Sequence, residues 1–167
     1  VRVFFCLEKA MALDTTQTGA IAPAFALLPA KMAGKRATVM LLGIGLQESR
    51  LQFRRQIGGP ARGLWQFEQA GGVRGVLTHP ASRLHALEVC AARDVEPTAP
   101  AVYEALERDD VLAAAFARLL LWTDPQPLPA LGQVQEAWDL YARVWRPGKP
   151  HPQTWEAIYA QALAAVQ

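Results

Sequence analysis

Apolar residues follow two kinds of pattern along this chain. From Val39 to Leu46 they run without a break, inside a helix-forming stretch that extends from Lys35 to Gln47. A helix that is apolar on every side belongs in the centre of a domain. Gly43 and Gly45 each cost such a helix about 1 kcal/mol against alanine, so close packing by another backbone is expected beside them. Elsewhere the apolar positions are spaced. Val134, Ala137, Trp138, Tyr141, Val144 and Trp145 follow the i, i+3, i+4, i+7 rule, and Pro147-Gly148 closes that helix. Trp155, Ile158, Tyr159, Ala162 and Val166 repeat the pattern in a last helix.

Between these landmarks the punctuation is regular. Thr15 to Gly19 are polar turn formers, and Pro23 opens a short helix from Ala24 to Met32 that Gly34 ends. Ala81 to Arg93 forms a helix with Leu84, Leu87 and Ala91 as its apolar stripe; Pro100 to Glu107 and Val111 to Trp122 form two more, and Pro125, Pro127 and Pro129 then break the pattern. One segment differs. From Ile57 to Gly75 seven glycines or prolines accumulate, favouring turns and a small hairpin. The expected architecture is mainly α, in one domain over residues 1–167, with a glycine-rich loop or hairpin region.

Composition narrows the partners. The chain is 51% hydrophobic and 19% charged, a balance that excludes disorder, and its net charge of +2 is too mild to imply a nucleic-acid partner. The longest apolar run falls far below the ~20 residues of a membrane-spanning helix, so no stable membrane insertion is expected. Glu8 and Lys9 interrupt the apolar opening Val1 to Cys6 before a signal-peptide core of ~7–15 residues forms. Cys6 and Cys90 lie far apart and are expected as buried thiols; His79, His85 and His151 show no ligand spacing. Neither a metal nor a cofactor is expected.

The chemistry concentrates at Glu48. It follows the apolar helix, so its carboxyl group is expected near a helix C-terminus and partly withdrawn from water. Desolvation and the negative end of the helix dipole both disfavour the carboxylate, which raises the pKa and makes a general acid. Cleavage of a glycosidic bond needs one, because the leaving sugar oxygen departs poorly until a proton reaches it. On position alone, a carboxylate that ends the helix and pairs with Arg50 or Arg54 is the plainer alternative.

The neighbouring residues reverse that preference. Glu48-Ser49, followed by Ala61-Arg62-Gly63-Leu64-Trp65-Gln66, resembles the signature of the soluble lytic transglycosylases and goose-type lysozymes, in which a Glu-Ser pair ends a buried helix and a Gly-Ala-x-Gly-Leu-Met-Gln segment follows. Gly63 lies fifteen residues after Glu48, the spacing of that family. Pro60 stands in place of the usual glycine and Trp65 in place of the methionine. The family's Ala-Tyr-Asn segment, whose tyrosine hydrogen-bonds the catalytic carboxyl group, has no clean copy; Tyr141 is the nearest candidate.

The resemblance covers Val39 to Gln66 and implies a lysozyme-like (α+β) fold. It also implies a glycosidase that cuts the MurNAc-GlcNAc β-1,4 bond of peptidoglycan, as a lytic transglycosylase or muramidase. Glu48 would be the acid and base and Ser49 a positioning group. Gly63, Leu64 and Gln66 would shape the cleft floor, with Trp65 and Phe67 stacking on sugar faces. Trp138, Trp145 and Trp155 have the helical spacing of core residues. Arg50, Arg54, Arg55 and Arg62 flank the motif as a solvated charged face or as attractors of peptidoglycan carboxylates, and Glu68 and Asp139 are candidates for a second carboxylate. Ile44 to Phe67 also looks like phage and prophage proteins. That implies synthesis in the host cytoplasm without a signal peptide and action in the periplasm or on the cell wall. The chain would be carried in a virion among other virion proteins, or released at lysis as an endolysin. A non-catalytic wall-binding or virion structural module on the same fold, and an unrelated helical interaction protein, are the competing classes.

Overall fold

The computed structural model describes residues 2–167, without the side chains of residues 2, 3 and 5; the expectation for the opening Val1 to Cys6 therefore lies partly outside the described residues. Helices dominate. They are α1 (Arg2–Thr16), α2 (Ala22–Ala26), α3 (Lys35–Ser49), α4 (Arg74–Thr78), α5 (Arg83–Ala92), α6 (Ala99–Leu106), α7 (Asp110–Trp122), α8 (Val134–Trp145) and α9 (Pro152–Val166).

α3 is the central helix that its apolar run requires: every residue from Ala37 to Leu46 is buried. It packs along α9, and the glycines mark the approach. A Cβ on Gly43 would lie 3.3 Å from the Trp155 ring, and one on Gly45 would overlap the Leu51 side chain and sit 3.3 Å from Trp65 Nε1. Side chains, rather than the expected backbone, fill the space these glycines leave. α7 is a second central helix, buried continuously from Leu112 to Leu119 with one charged member, Arg118. Asp109 caps its start by accepting from Leu112 N at 3.0 Å.

Four local expectations are corrected. Thr15 to Gly19 is not a turn: α1 runs through a wide helical turn, Gln17–Ile21, directly into α2, because Leu13, Ala20, Ile21 and Ala24 are all buried on one continuous side. The helix expected to reach Met32 ends at Ala26 and resumes as a single 3₁₀ turn, Ala30–Met32, since Pro29 has no N–H with which to continue it. In α5 the buried stripe is Ala86, Val89 and Cys90, while Leu84 and Leu87 face water. Cys90 is buried and its thiol is pushed up to about 11, whereas Cys6 is exposed, against expectation.

Among the described residues, β structure is limited to two isolated antiparallel pairings, Arg55 with Arg62 and Arg62 with Phe67. The glycine-rich segment forms this minimal pairing in its first half and a wide helical turn, Gln69–Val73, leading into α4 in its second. No helix among the described residues is long and apolar enough to cross a membrane.

Candidate active site

The end of α3 is built to hold its last residues still. Arg50 and Leu51 both adopt left-handed backbone (φ 56 for each), a conformation that costs non-glycine residues about 1–3 kcal/mol. Two features offset it. Arg50 N donates to Leu46 O at 3.0 Å, and the Leu51 side chain is buried in the space that Gly45 leaves open. The reversal starts the loop that returns to α3 as Ala61–Phe67.

Ser49 joins the two. Its hydroxyl donates to Leu64 O at 2.6 Å, with Gly45 O at 3.2 Å as an alternative acceptor. Trp65 donates from Nε1 to Leu41 O at 2.8 Å, and Trp145 donates in turn to Trp65 O at 3.0 Å. Gly63 has φ 76, and a Cβ there would meet Leu106 O at 2.9 Å, so the turn admits only glycine without strain. Gln66, also left-handed at φ 51, folds its amide back to Gly63 O at 2.8 Å.

Glu48 is half-buried in the last turn of α3. Its Oε1 accepts from the Tyr141 hydroxyl at 2.6 Å, a contact between residues 93 apart in sequence. Tyr141 is itself fixed: its ring stacks on Trp155 with centroids 5.4 Å apart and planes 5° from parallel, and Trp138 lies edge-on at 5.3 Å. Burial raises the carboxyl pKa of Glu48 above its ordinary value, and the Tyr141 hydrogen bond lowers it by less, so the net direction is upward. The Tyr141 hydroxyl is pushed up, first by its own burial and then by the facing carboxylate. It therefore stays a donor at any physiological pH.

No family model, curated relative or solved structure matches this chain.

The arrangement sorts the candidate residues. Glu48 and Tyr141 are brought together, and Ser49, Gly63, Leu64 and Gln66 form the support beneath them. Trp65, expected to stack on sugars, is fully buried with its indole bonded to α3, and Phe67 is buried edge-on against Trp145 at 6.0 Å; both are scaffold. Ser49 and Leu64 are buried too, so neither meets a ligand directly. Trp155 is buried as its spacing implies, while Trp138 and Trp145 are half-buried. Arg54 pairs with Asp110 at 2.6 Å, and Arg55 and Arg62 both pair with Glu107, which removes Arg54 as a partner for Glu48 and neutralises much of that charged face. Glu68 and Asp139 are exposed, and Asp139 accepts from Gln135 at 2.9 Å.

One residue that the sequence pattern passed over is Phe53. It is an exposed aromatic held beside the helix end by its N–H to Ser49 O at 3.2 Å, and its carbonyl accepts from Gln66. An unpaired aromatic four residues after the Glu-Ser pair was the available signal. Among the described residues, no three His, Cys, Asp or Glu side chains gather as metal ligands.

Proposed function

We propose that this protein cleaves peptidoglycan glycan strands at the MurNAc-GlcNAc β-1,4 bond, on a lysozyme-like fold, with Glu48 as general acid and base. The observation that carries the reading is the desolvated Glu48 carboxyl group, its pKa raised by burial and one oxygen held by Tyr141. With Oε1 occupied, Oε2 is the oxygen that carries and donates the proton. The Glu-Ser and Gly-Leu-x-Gln segments that resemble the lytic transglycosylases meet at the same place, joined by Ser49 to Leu64 O.

In the first step Glu48 gives its proton to the bridging oxygen as the glycosidic bond breaks, leaving an oxocarbenium-like sugar and a carboxylate. In the second, a hydroxyl group of the same sugar attacks the anomeric carbon and returns its proton to Glu48, so the product is an anhydro sugar and the acid is restored. This single-glutamate route needs no second carboxylate; the two candidates for one, Glu68 and Asp139, are both exposed. Phe53, rather than Trp65, supplies the aromatic face for a sugar ring. The phage setting, with action on the wall from a virion or at lysis, rests on the resemblance alone.

Purified cell walls provide the test. Wild type should clear a wall suspension and release products one water lighter than the hydrolysed sugars, while Glu48→Gln should do neither. Products carrying the added water would replace the lytic route by hydrolysis. Wall binding without any clearing by the wild type would move the reading to a non-catalytic wall-binding module.

A further inference from the structure

At the far end of α3, about 20 Å from Glu48 by helix rise, lies a cleft of about 1000 Å³ whose lining includes none of the residues placed around Glu48. It opens beside Arg118, the one charge in the buried run of α7. Arg118 is 3% exposed, and its Nε donates to Met32 O at 2.7 Å. Its Nη1 is buried without a hydrogen-bond partner, and no carboxylate among the described residues lies within ion-pair reach. Burial lowers its pKa to about 10, which still leaves it cationic at neutral pH. A buried guanidinium that only bonded a carbonyl would be replaceable by an apolar side chain at little cost. Its open donor needs an acceptor.

Three further cations, exposed rather than buried, stand around the cleft. Lys31, Lys35 and Arg36 line it, and the Lys31 ammonium and Arg118 guanidinium lie 5.4 and 5.3 Å from the same Trp122 ring. Its one acidic lining residue, Asp124, is already held by Arg143 at 2.8 Å. The cleft also takes in the start of α3, where Gly34 (φ 124) offers no side-chain cap and the first turn holds no acid. The N–H groups of that first turn thus lack partners and favour an anion. The remaining wall is apolar, formed by Trp122, Pro125, Leu128 and Leu131. The volume is that of a small-molecule site, far beyond a bare phosphate.

We propose that this cleft binds an oxyanion carried on an apolar body, a carboxylate or a phosphate monoester, with Arg118 and the N-terminus of α3 holding the charge and the Trp122 wall holding the body. The site is separate from Glu48 and does not depend on glycan cleavage.

Calorimetric titration of the whole protein tests it, with octanoate, octyl phosphate, inorganic phosphate and octanol as probes. Octanoate or octyl phosphate should bind, and which of them binds more tightly identifies the headgroup. Octanol and inorganic phosphate should each bind at least about tenfold more weakly. Arg118→Met should abolish binding, and Lys35→Gln, at an exposed position that leaves the fold alone, should weaken it severalfold. Glu48→Gln should bind as wild type. The proposal is overturned if neither anionic probe binds up to about 10 mM, if octanol or inorganic phosphate matches the better anionic probe, or if folded Arg118→Met and Lys35→Gln both bind as wild type.

Discussion

The two ends of α3 each withdraw an ionisable group from water, and they resolve the cost in opposite ways. At the C-terminal end Glu48 has a partial partner in Tyr141, and its raised pKa lets it become neutral by taking a proton. At the N-terminal end Arg118 keeps its charge even with its pKa lowered to about 10, and its Nη1 finds nothing to bond. A carboxyl group can escape burial by protonation; a guanidinium at neutral pH cannot. Desolvation therefore favours the neutral form of the carboxyl group at one end and leaves a cation with an unpaired donor at the other.

Substitutions around Glu48 should have graded effects. Glu48→Gln removes the transferable proton, and a loss of about 10³-fold in wall clearing is expected, within the range of general acid catalysis; the assay is turbidity loss with circular dichroism as the folding control. Gly63→Val places a β-branched residue at φ 76 with its Cβ 2.9 Å from Leu106 O. It should cost about 3 kcal/mol and lower the thermal midpoint by several degrees, read by calorimetry. An unchanged midpoint would show that the loop has another conformation available.

Tyr141→Phe should cost about tenfold in cleavage rate, the worth of one hydrogen bond to a charged group. It also sharpens the pKa argument. Tyr141 lowers the Glu48 pKa, so its loss should move the alkaline fall of the activity profile to higher pH, a shift that a merely structural role would not produce. The smallest effect expected is on stability. Because folding raises the pKa of Glu48, its favourable contribution is present below the unfolded pKa and is lost as pH rises through the folded one. Glu48→Gln should thus match wild-type stability in acid and equal or slightly exceed it near pH 7, as thermal unfolding at several pH values would record.

The contrast also explains what could be read from the chain. α8 was legible because its apolar stripe, which spans Val134 to Trp145, and the Pro147-Gly148 stop agree. The central position of α3 was legible from eight consecutive apolar residues. Helix continuity at Thr15 to Gly19 was not, since the local composition favours a turn and only burial of Ala20 and Ile21 against the core overrides it. Leu84 and Leu87 misled because their spacing fits a helix face equally well with Ala86 and Val89, and neighbouring elements decide which face is covered. Trp65 misled for a related reason: in an irregular loop no periodicity tells an inward aromatic from an outward one. Arg118 gave no local signal beyond a charge within an apolar helix.

The tie between Gln47 and the start of α9 bears on the order in which the surroundings of Glu48 form. Gln47 donates to His151 O at 3.2 Å and accepts from the Thr154 hydroxyl at 3.0 Å, one residue before Glu48 and one before Trp155. Glu48 is thus synthesised early, but its partner Tyr141 and the ring that Tyr141 stacks on arrive about a hundred residues later. Until those residues have left the ribosome, Glu48 has neither of them. Only when α9 has emerged and docked does that glutamate acquire its surroundings, so a chain stalled or clipped before α9 should leave Tyr141 without the Trp155 ring on which it stacks.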